Sequence, residues 1–402
     1  MNRLHKAACM AAFVFLAGAA VPAAADVGPA INPSIYAIPA GAKTINVDCD
    51  TRQTLTSALA DKSGADLNIV FSGTCKEIVY VHRDGVAIRG KDASATVAGG
   101  VELTAAKRVL LEGFTCRDNT QLEGCIGALL GSSVTVHNLK IFNSAVRGLL
   151  VFNSVALVDG LTVDKTSSTS ILIRGSHVRM EGEVTLTNTP EGCLVLDSVS
   201  NVFSKSAVIN ARDCLAGILV QTNSSFEGPF GELNLNHNTF AGLALITAGT
   251  FSYGGTVVAK NNASAGIFVD EASAYSPFSN LVSTSSTTLE NNGMANVYVT
   301  RGSMVELANM ASNTGAPYGV WVDAGILRIG NSKVSGNQKA DVRLQFGSRA
   351  TFLEGAVVGN LSCDGTQLLR GPKAVCTVVE AETKPSVAKP TTGRVGSLPD
   401  KH

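Results

Sequence analysis

Polar side chains recur at intervals of 22 residues in the first half of the chain, each directly before a glycine or an asparagine. His137, Asp159 and Glu181 follow this spacing, and a histidine beside carboxylates can act as a general acid or base. The alternative is that residues next to a turn point into solvent, where polar types are common and imply no chemistry. Neighbouring repeats place three further residues at the same position, which are Arg89, Glu112 and Ser204.

A second set of side chains could hold a sugar. Phe268, Tyr298 and Trp321 occupy the same place in short segments of alternating pattern, in which the residues on either side are aliphatic. Side chains alternate along a strand, so the aromatic rings face outward where their neighbours face a core. Rings stack on pyranose faces, and flanking carboxylates and guanidinium groups bind hydroxyls. The predicted substrate-binding set is Phe268, Asp270, Tyr298, Arg301, Trp321, Asp323 and Arg343. The alternative is that a loop or a partner chain covers the rings, which then form a second small core.

Cleavage of a glycoside would require two suitably spaced carboxylates. Asp270 and Asp323 fall two repeats apart, roughly 9.6 Å at the usual strand spacing, whereas inverting glycosidases use roughly 6.5–9.5 Å. A lyase or an epimerase would instead need a base and a cation that neutralises a uronate, for which Arg174, Arg301 and Arg343 are candidates. No trio stands out by its spacing, so the sequence assigns no catalytic residue.

These side chains must be positioned by a repeat of about 24 residues, in which strands alternate with sharp turns. A sharp corner needs a residue at positive φ, which glycine adopts freely and asparagine tolerates. A unit of this length suits one coil of three short strands, and coils must stack to bury their apolar side chains. The predicted fold is an all-β, right-handed parallel β-helix of about twelve coils. The predicted corner residues are Gly90, Gly113, Asn138, Gly160, Gly182, Lys205, Gly231, Gly255, Asn280, Asn309, Asn331 and Gly355.

The chain resembles the pectate-lyase-like superfamily of right-handed β-helices from residue 43 to about residue 370. Besides the repeat, a helical stretch at 51–62 precedes a strand and a Gly-Thr turn at 69–77, as in the N-terminal cap of many members. The resemblance implies the fold but not an activity. The motifs of polygalacturonases, alginate epimerases and pectate lyases are missing from the sequence, and no acidic cluster predicts a calcium site.

Eight cysteines follow the N-terminal apolar run, an even number that suits an oxidising compartment. Their spacing predicts four local disulfides, although sequence alone cannot fix the connectivity. A metal cluster would need closer cysteine or histidine spacing, so no metal or cofactor is predicted. The predicted pairs are Cys49–Cys75, Cys116–Cys125, Cys193–Cys214 and Cys363–Cys376.

The segments outside the repeat predict export. A basic start, an apolar run and three alanines predict a signal peptide at residues 1–25. An extension at 26–50, the β-helix with its cap at 51–378 and a disordered tail at 379–402 complete the predicted organisation. With 32 basic and 32 acidic residues and no basic patch, nucleic acid is not a predicted partner. No later run is long and apolar enough to span a membrane, so we expect a periplasmic or secreted protein.

The leading functional hypothesis is an exported protein that binds polysaccharide along a groove on the solenoid face. A divergent polysaccharide lyase, epimerase or hydrolase acting at the same groove is the second hypothesis. The third is a structural or adhesive envelope protein that forms a homo-oligomer through an apolar face running from Leu150 to Leu219.

Overall fold

The computed structural model describes residue 38 and residues 40–277, 286–371 and 375–381. It is 60% strand and 2% helix, and its parallel strands wind into a β-solenoid of about fourteen turns. The predicted all-β, right-handed parallel β-helix is confirmed, with about two turns more than expected. The predicted signal peptide lies outside the described residues, as do part of the predicted extension and nearly all of the predicted tail.

Every complete coil contributes strands to three faces, and equivalent strands of successive coils pair in parallel. Lys333–Val334 and Val357–Val358 pair with each other in a separate two-stranded sheet. The first face contains Lys43–Asp48, Leu67–Ser72, Val86–Gly90, Val109–Glu112, Asn201–Ser204, Ser225–Gly228, Thr250–Tyr253, Ala274–Pro277, Met304–Ala308, Ile326–Gly330, Arg349–Phe352 and Leu368–Arg370. The second face contains Thr74–Cys75, Thr96–Ala98, Thr115–Arg117, Glu232–Asn236, Thr256–Lys260, Ser286–Glu290, Met310–Thr314, Lys333–Val334 and Val357–Val358.

The third face and the strands that turn corners complete the solenoid. The third face contains Val79–Val81, Val101–Thr104, Gly124–Leu129, Arg147–Phe152, Ile171–Arg174, Ala241–Leu245, Ala265–Val269, Ala295–Thr300, Tyr318–Asp323, Ala340–Gln345, Leu361–Cys363 and Thr377–Val378. Four longer strands run from one face to the next, namely Ser133–Ser144, Val155–Thr166, His177–Asp197 and Val208–Val220. Inward side chains of all three faces form one continuous apolar core.

Corner residues adopt the predicted left-handed conformation at most of the described positions. Gly160 has a φ of 77° and Asn138 a φ of 51°. Positive φ also occurs at Gly113, Gly182, Gly231, Asn309, Asn331 and Gly355. The prediction is wrong at Gly90, Gly255 and Lys205, which do not have positive φ, and the predicted corner at Asn280 lies outside the described residues. Glycine is needed at 90 for another reason, since a Cβ there would lie 2.2 Å from a backbone oxygen of the next coil.

Buried polar side chains form hydrogen-bonded stacks inside two corners of the solenoid. A buried serine in each of several coils accepts the backbone N–H of the serine one coil earlier, as Ser154 does from Ser132 at 3.1 Å. On another corner, Asn238 donates through Nδ2 to Asn262 at 3.0 Å, and Asn262 donates in the same way to Asn292. These stacks satisfy backbone groups that the sharp turns leave without a ladder partner.

The N-terminal cap is shorter than predicted. A 3₁₀ turn at Cys49–Thr51 ends at Arg52, which has a φ of 70°, and the helix proper is only Leu55–Leu59. Glu77 of the first coil accepts the backbone N–H of Leu55 at 2.7 Å, which ties the helix to the solenoid. No helix among the described residues is long and apolar enough to cross a membrane.

All four predicted disulfides are present. The Cα atoms of Cys193 and Cys214 are 5.7 Å apart, which meets the geometric condition for bridging adjacent rungs. The other pairs are Cys49–Cys75, Cys116–Cys125 and Cys363–Cys376.

Candidate functional site

The polar residues of the first face form one column, here called the charged ladder. Strand register places Arg89 beside Glu112, Glu112 beside His137, His137 beside Asp159, and Asp159 beside Glu181. The prediction that these residues align is confirmed. Ser204 does not belong to the column, because it pairs with Met180 and its side chain is fully buried.

His137 is held at the centre of the charged ladder by hydrogen bonds on both ring nitrogens. Its Nδ1 lies 3.0 Å from Asp159 Oδ2, and its Nε2 lies 2.9 Å from the amide nitrogen of Asn138. An amide nitrogen can only donate, so the contact with Asn138 suits the tautomer in which Nε2 accepts and Nδ1 donates to Asp159. Glu112 Oε1 is 3.9 Å from Nε2. Both ring nitrogens of His137 therefore have a polar neighbour, and a histidine between two carboxylates can take part in proton transfer.

Arginines flank the ladder. Arg89 forms an ion pair with Glu112, and the Arg179 Nε donates to Glu181 at 2.6 Å. The charges of Glu112 and Glu181 are therefore balanced locally, whereas the Asp159 carboxylate has the His137 ring as its neighbour.

An open cleft of about 340 Å³ borders the charged ladder. The ladder side chains that line it are between 23% and 39% exposed. Leu110 and Ile38 add apolar surface beside these polar groups. The cleft thus combines solvent access, hydrogen-bonding groups and a small apolar patch. The lining residues are Ile38, Arg89, Leu110, Glu112, Thr135, His137 and Asp159.

The predicted aromatic stripe is a real column on the outer side of the third face, here called the aromatic column. Phe268 pairs with Tyr298, and Tyr298 pairs with Trp321. Their ring centroids are 5.7 Å and 5.3 Å apart, respectively. The expected exposure is wrong, however, because only 2–3% of each of the three residues is exposed. They belong to a second apolar cluster separate from the main core, as the alternative interpretation of the sequence expected.

Three polar members of the predicted binding set, Asp270, Asp323 and Arg343, are buried beside the aromatic column, whereas Arg301 is exposed. Asp270 forms a two-point ion pair with Arg301, whose Nη1 also lies 3.2 Å from Glu271. Asp323 and Arg343 are only 1–2% exposed. Asp270 is therefore engaged by Arg301, which gives no support to Asp270 and Asp323 as the carboxylate pair considered for glycoside cleavage, in line with the absence of an assigned catalytic residue.

Two polar atoms in this region are buried without a hydrogen-bond partner, the Nε1 of Trp321 and the Nε of Arg343. An unsatisfied buried donor costs about 1–3 kcal/mol. Burial also raises the pKa of the Tyr298 phenol, and the nearby Asp323 and Asp270 raise it further. The Tyr298 phenol therefore lies in surroundings that disfavour its ionised form.

The described residues contain one group with metal-ligand spacing, formed by Cys49, Cys75 and Glu77. It does not suit a metal, because the two sulfurs are joined in a disulfide and offer no thiolate. Glu77 in turn accepts hydrogen bonds from the N-terminal helix, including the Thr56 N–H at 3.1 Å. Its role is therefore structural.

No protein-family model matches the sequence, and no curated protein matches it. Among solved structures, the chain is similar to the A-module of the mannuronan C-5 epimerase AlgE4 of Azotobacter vinelandii, with 12% identity and a TM-score of 0.46, over 81% of this chain and 93% of that one. It is also similar to the catalytic unit of a thermostable GH87 α-1,3-glucanase from Streptomyces thermodiastaticus, with 14% identity and a TM-score of 0.42, over 86% of this chain and 68% of that one. Similarities of this size carry no information about activity.

Proposed function

We propose that this protein is exported and binds polysaccharide on the outer surface of its solenoid, along the charged ladder. The observation that carries the proposal is the open cleft of about 340 Å³ beside Arg89, Glu112, His137 and Asp159. Among the columns predicted to do chemistry, the charged ladder is the one with solvent access.

The chemistry of the ladder suits a polyhydroxylated polymer. Each rung adds a donor or an acceptor about 4.8 Å from the last, so a linear chain of similar units can repeat its contacts from rung to rung. Charge-assisted hydrogen bonds to hydroxyls are stronger than neutral ones. The apolar patch at Leu110 offers a contact for the C–H surface of a sugar ring.

Export is supported by the four disulfides, because such bonds persist in oxidising compartments such as the periplasm and the extracellular space. The predicted signal peptide supports it from the sequence.

The aromatic column remains a predicted sugar-binding surface, but it is a weaker candidate than the charged ladder. Phe268, Tyr298 and Trp321 would have to become accessible before a sugar could stack on them, since all three are buried. The same burial limits the oligomer hypothesis, because Leu150 and Leu219 are only 5–6% exposed.

The ladder proposal is tested by affinity electrophoresis of the mature protein through gels that contain neutral or uronate-containing polysaccharides. His137→Ala should weaken retardation by about two- to tenfold in dissociation constant, since a hydrogen bond contributes about 0.5–1.5 kcal/mol. His177→Ala is the matched control, because His177 is exposed on the same face but outside the cleft. Equal binding by the wild type and the His137 variant, with a polymer that the wild type retards, would refute the assignment.

A catalytic role is the second candidate, and the proton arrangement around His137 favours it. The His137 imidazole, held by Asp159 and with Glu112 Oε1 at 3.9 Å, could remove or deliver a proton on a bound sugar once Nε2 is released from Asn138. The test is incubation with uronate polymers followed by measurement of unsaturated ends, reducing ends and epimer ratio. A change that His137→Ala abolishes, while Glu112→Gln alters its pH profile, would establish catalysis. If the polymer is bound but not chemically changed, the result would support binding without catalysis.

A further inference from the structure

A second open cavity, here called the cap cavity, lies where the N-terminal cap meets the first coils. It has a volume of about 650 Å³ and shares no lining residue with the cleft beside the charged ladder. The disulfide between Cys49 and Cys75 lines it and ties the 3₁₀ turn of the cap to the first coil. Part of its wall is therefore fixed by a covalent bond. Its charged lining residues are Asp50, Arg52, Lys76, Glu77 and Arg117.

The two carboxylates of the cap cavity already accept hydrogen bonds from the protein. Glu77 accepts the backbone N–H groups of Leu55 at 2.7 Å and Thr56 at 3.1 Å through its two oxygens. Asp50 accepts the backbone N–H of Thr74 at 3.2 Å. Both carboxylates therefore serve the contact between the cap and the first coil.

The three cations of the cap cavity come from two different parts of the fold. The register of the second face places Lys76, Ala98 and Arg117 at equivalent outward positions of three successive coils. Lys76 and Arg117 are therefore two rungs apart, or about 9.6 Å, and only the small side chain of Ala98 lies between them. Arg52 comes from the cap, directly after the 3₁₀ turn that the disulfide holds against the first coil. All three cations are exposed, so they can reach a group held in the gap between the two coils.

The positive charge of the cap cavity is largely unpaired. Among the residues that the structure describes, Arg52 and Lys76 have no carboxylate within ion-pair distance, and Arg117 has only Asp118 at 3.5 Å. Both members of that pair are about half exposed, and surface ion pairs of this kind contribute little. Gln53, a neutral lining residue, uses its Oε1 to accept a backbone N–H at 2.8 Å, so its amide N–H donors remain. The cavity therefore offers donors and positive charge to a ligand that brings acceptors.

We propose that the cap cavity is an oxyanion-binding site, in which Arg52, Lys76 and Arg117 hold a carboxylate, sulfate or phosphate group. A planar guanidinium presents two parallel N–H donors to such a group, and an ammonium adds a compact charge. The volume of about 650 Å³ lies within the usual range of about 300–1,000 Å³ for small-molecule sites, so a small organic molecule can carry the anionic group. The site is independent of the proposed polysaccharide binding at the charged ladder, because the two cavities share no residue.

Isothermal titration calorimetry of the mature protein tests the site with inorganic phosphate, sulfate and acetate, at a low ionic strength held constant with sodium chloride. At least one of the three oxyanions should bind with one-to-one stoichiometry, and their relative affinities distinguish a site for a tetrahedral anion from a site for a carboxylate. Arg52→Gln and Lys76→Gln should each weaken binding of the tightest oxyanion by about tenfold or more, since each removes a hydrogen bond between charged groups. Lys107→Gln is the matched control, because Lys107 is exposed outside the cavity and the substitution changes the net charge equally.

Ala98→Leu provides a second test that leaves every charge in place. The larger side chain should fill the gap between Lys76 and Arg117 and weaken binding several-fold, whereas an unchanged affinity would overturn the proposal. Far-UV circular dichroism and urea unfolding midpoints verify that each variant keeps its fold. The proposal also fails if Arg52→Gln and Lys76→Gln both keep the wild-type affinity, or if the wild type binds none of the three oxyanions at millimolar concentrations. An equal loss of affinity in Lys107→Gln would overturn it as well, because binding would then depend on net charge rather than on this cavity.

Discussion

Replacing Trp321 with alanine tests the burial of the aromatic column. Trp321 is only 2% exposed and packs against Tyr318 and Tyr298, with ring centroids 4.7 Å and 5.3 Å away. A large aromatic buries about 150–250 Å², which at about 25 cal/mol/Å² amounts to about 4–6 kcal/mol. The variant also loses a buried N–H without a partner, which returns about 1–3 kcal/mol. We therefore expect a net destabilisation of about 3 kcal/mol, the lower end of the range for such substitutions.

The measurement is urea unfolding followed by far-UV circular dichroism, with Trp321→Phe as the matched variant. Phenylalanine keeps most of the apolar contact and removes the unsatisfied N–H, so its unfolding midpoint should stay close to that of the wild type. An alanine variant with an unchanged midpoint and weakened polysaccharide binding would instead establish the sugar-stacking role. An unchanged midpoint with unchanged binding would make the column ordinary surface and refute both interpretations.

Three further predictions concern the solenoid itself. Gly160→Val should lower the free energy of unfolding by more than about 1 kcal/mol, because φ is 77° and a Cβ would meet a side-chain oxygen at 2.4 Å. Gly131→Val is the control, since Gly131 also has positive φ but open space around it, and it should lower the free energy of unfolding by less. Equal urea midpoints for the two variants would refute the contribution of the steric clash. Burial raises the pKa of Tyr275 from 10.0 to about 12. Its neutral form therefore stabilises the fold fully below pH 10, and this contribution falls by about 1.4 kcal/mol per pH unit from pH 10 to about 12. Tyr275→Phe should make the loss of stability at alkaline pH less steep, and an identical loss in the variant would contradict the role of Tyr275. Replacing both Cys193 and Cys214 with alanine should cost about 2–4 kcal/mol in urea unfolding, whereas a free thiol in the wild type, found by peptide mapping, would contradict the bridge.

The repeat was predictable because its signals are local. Corner residues such as Asn138 and Gly160 reveal the left-handed conformation by their type alone. Once corners are in phase, the strand register follows, and with it the charged ladder. Ser204 shows how sensitive the phase is. The step between Met180 and Ser204 is 24 residues, one more than the predicted corner spacing implied, and a shift of one residue turns a side chain from solvent to core.

The burial of the aromatic column was not predictable from the repeat. Alternation correctly places Trp321 and Tyr298 on the outer side, but it does not reveal what lies over them. The pairing of Asp270 with Arg301 was missed for a related reason, since Arg301 follows its strand at a turn with a φ of 48° and reaches back to the preceding coil.

The buried serine and asparagine stacks have a consequence for how this protein can change its length. Each serine satisfies the backbone of the coil before it and is satisfied by the coil after it, as Ser154 does between Ser132 and Ser176. Loss or duplication of a segment that starts and ends at equivalent serines would join the same donor to the same kind of acceptor. A change of any other length would leave a buried N–H without its partner at the junction. Genetic insertions and deletions in this region should therefore be accepted in whole coils, because only whole coils preserve the hydrogen bonds between successive serines.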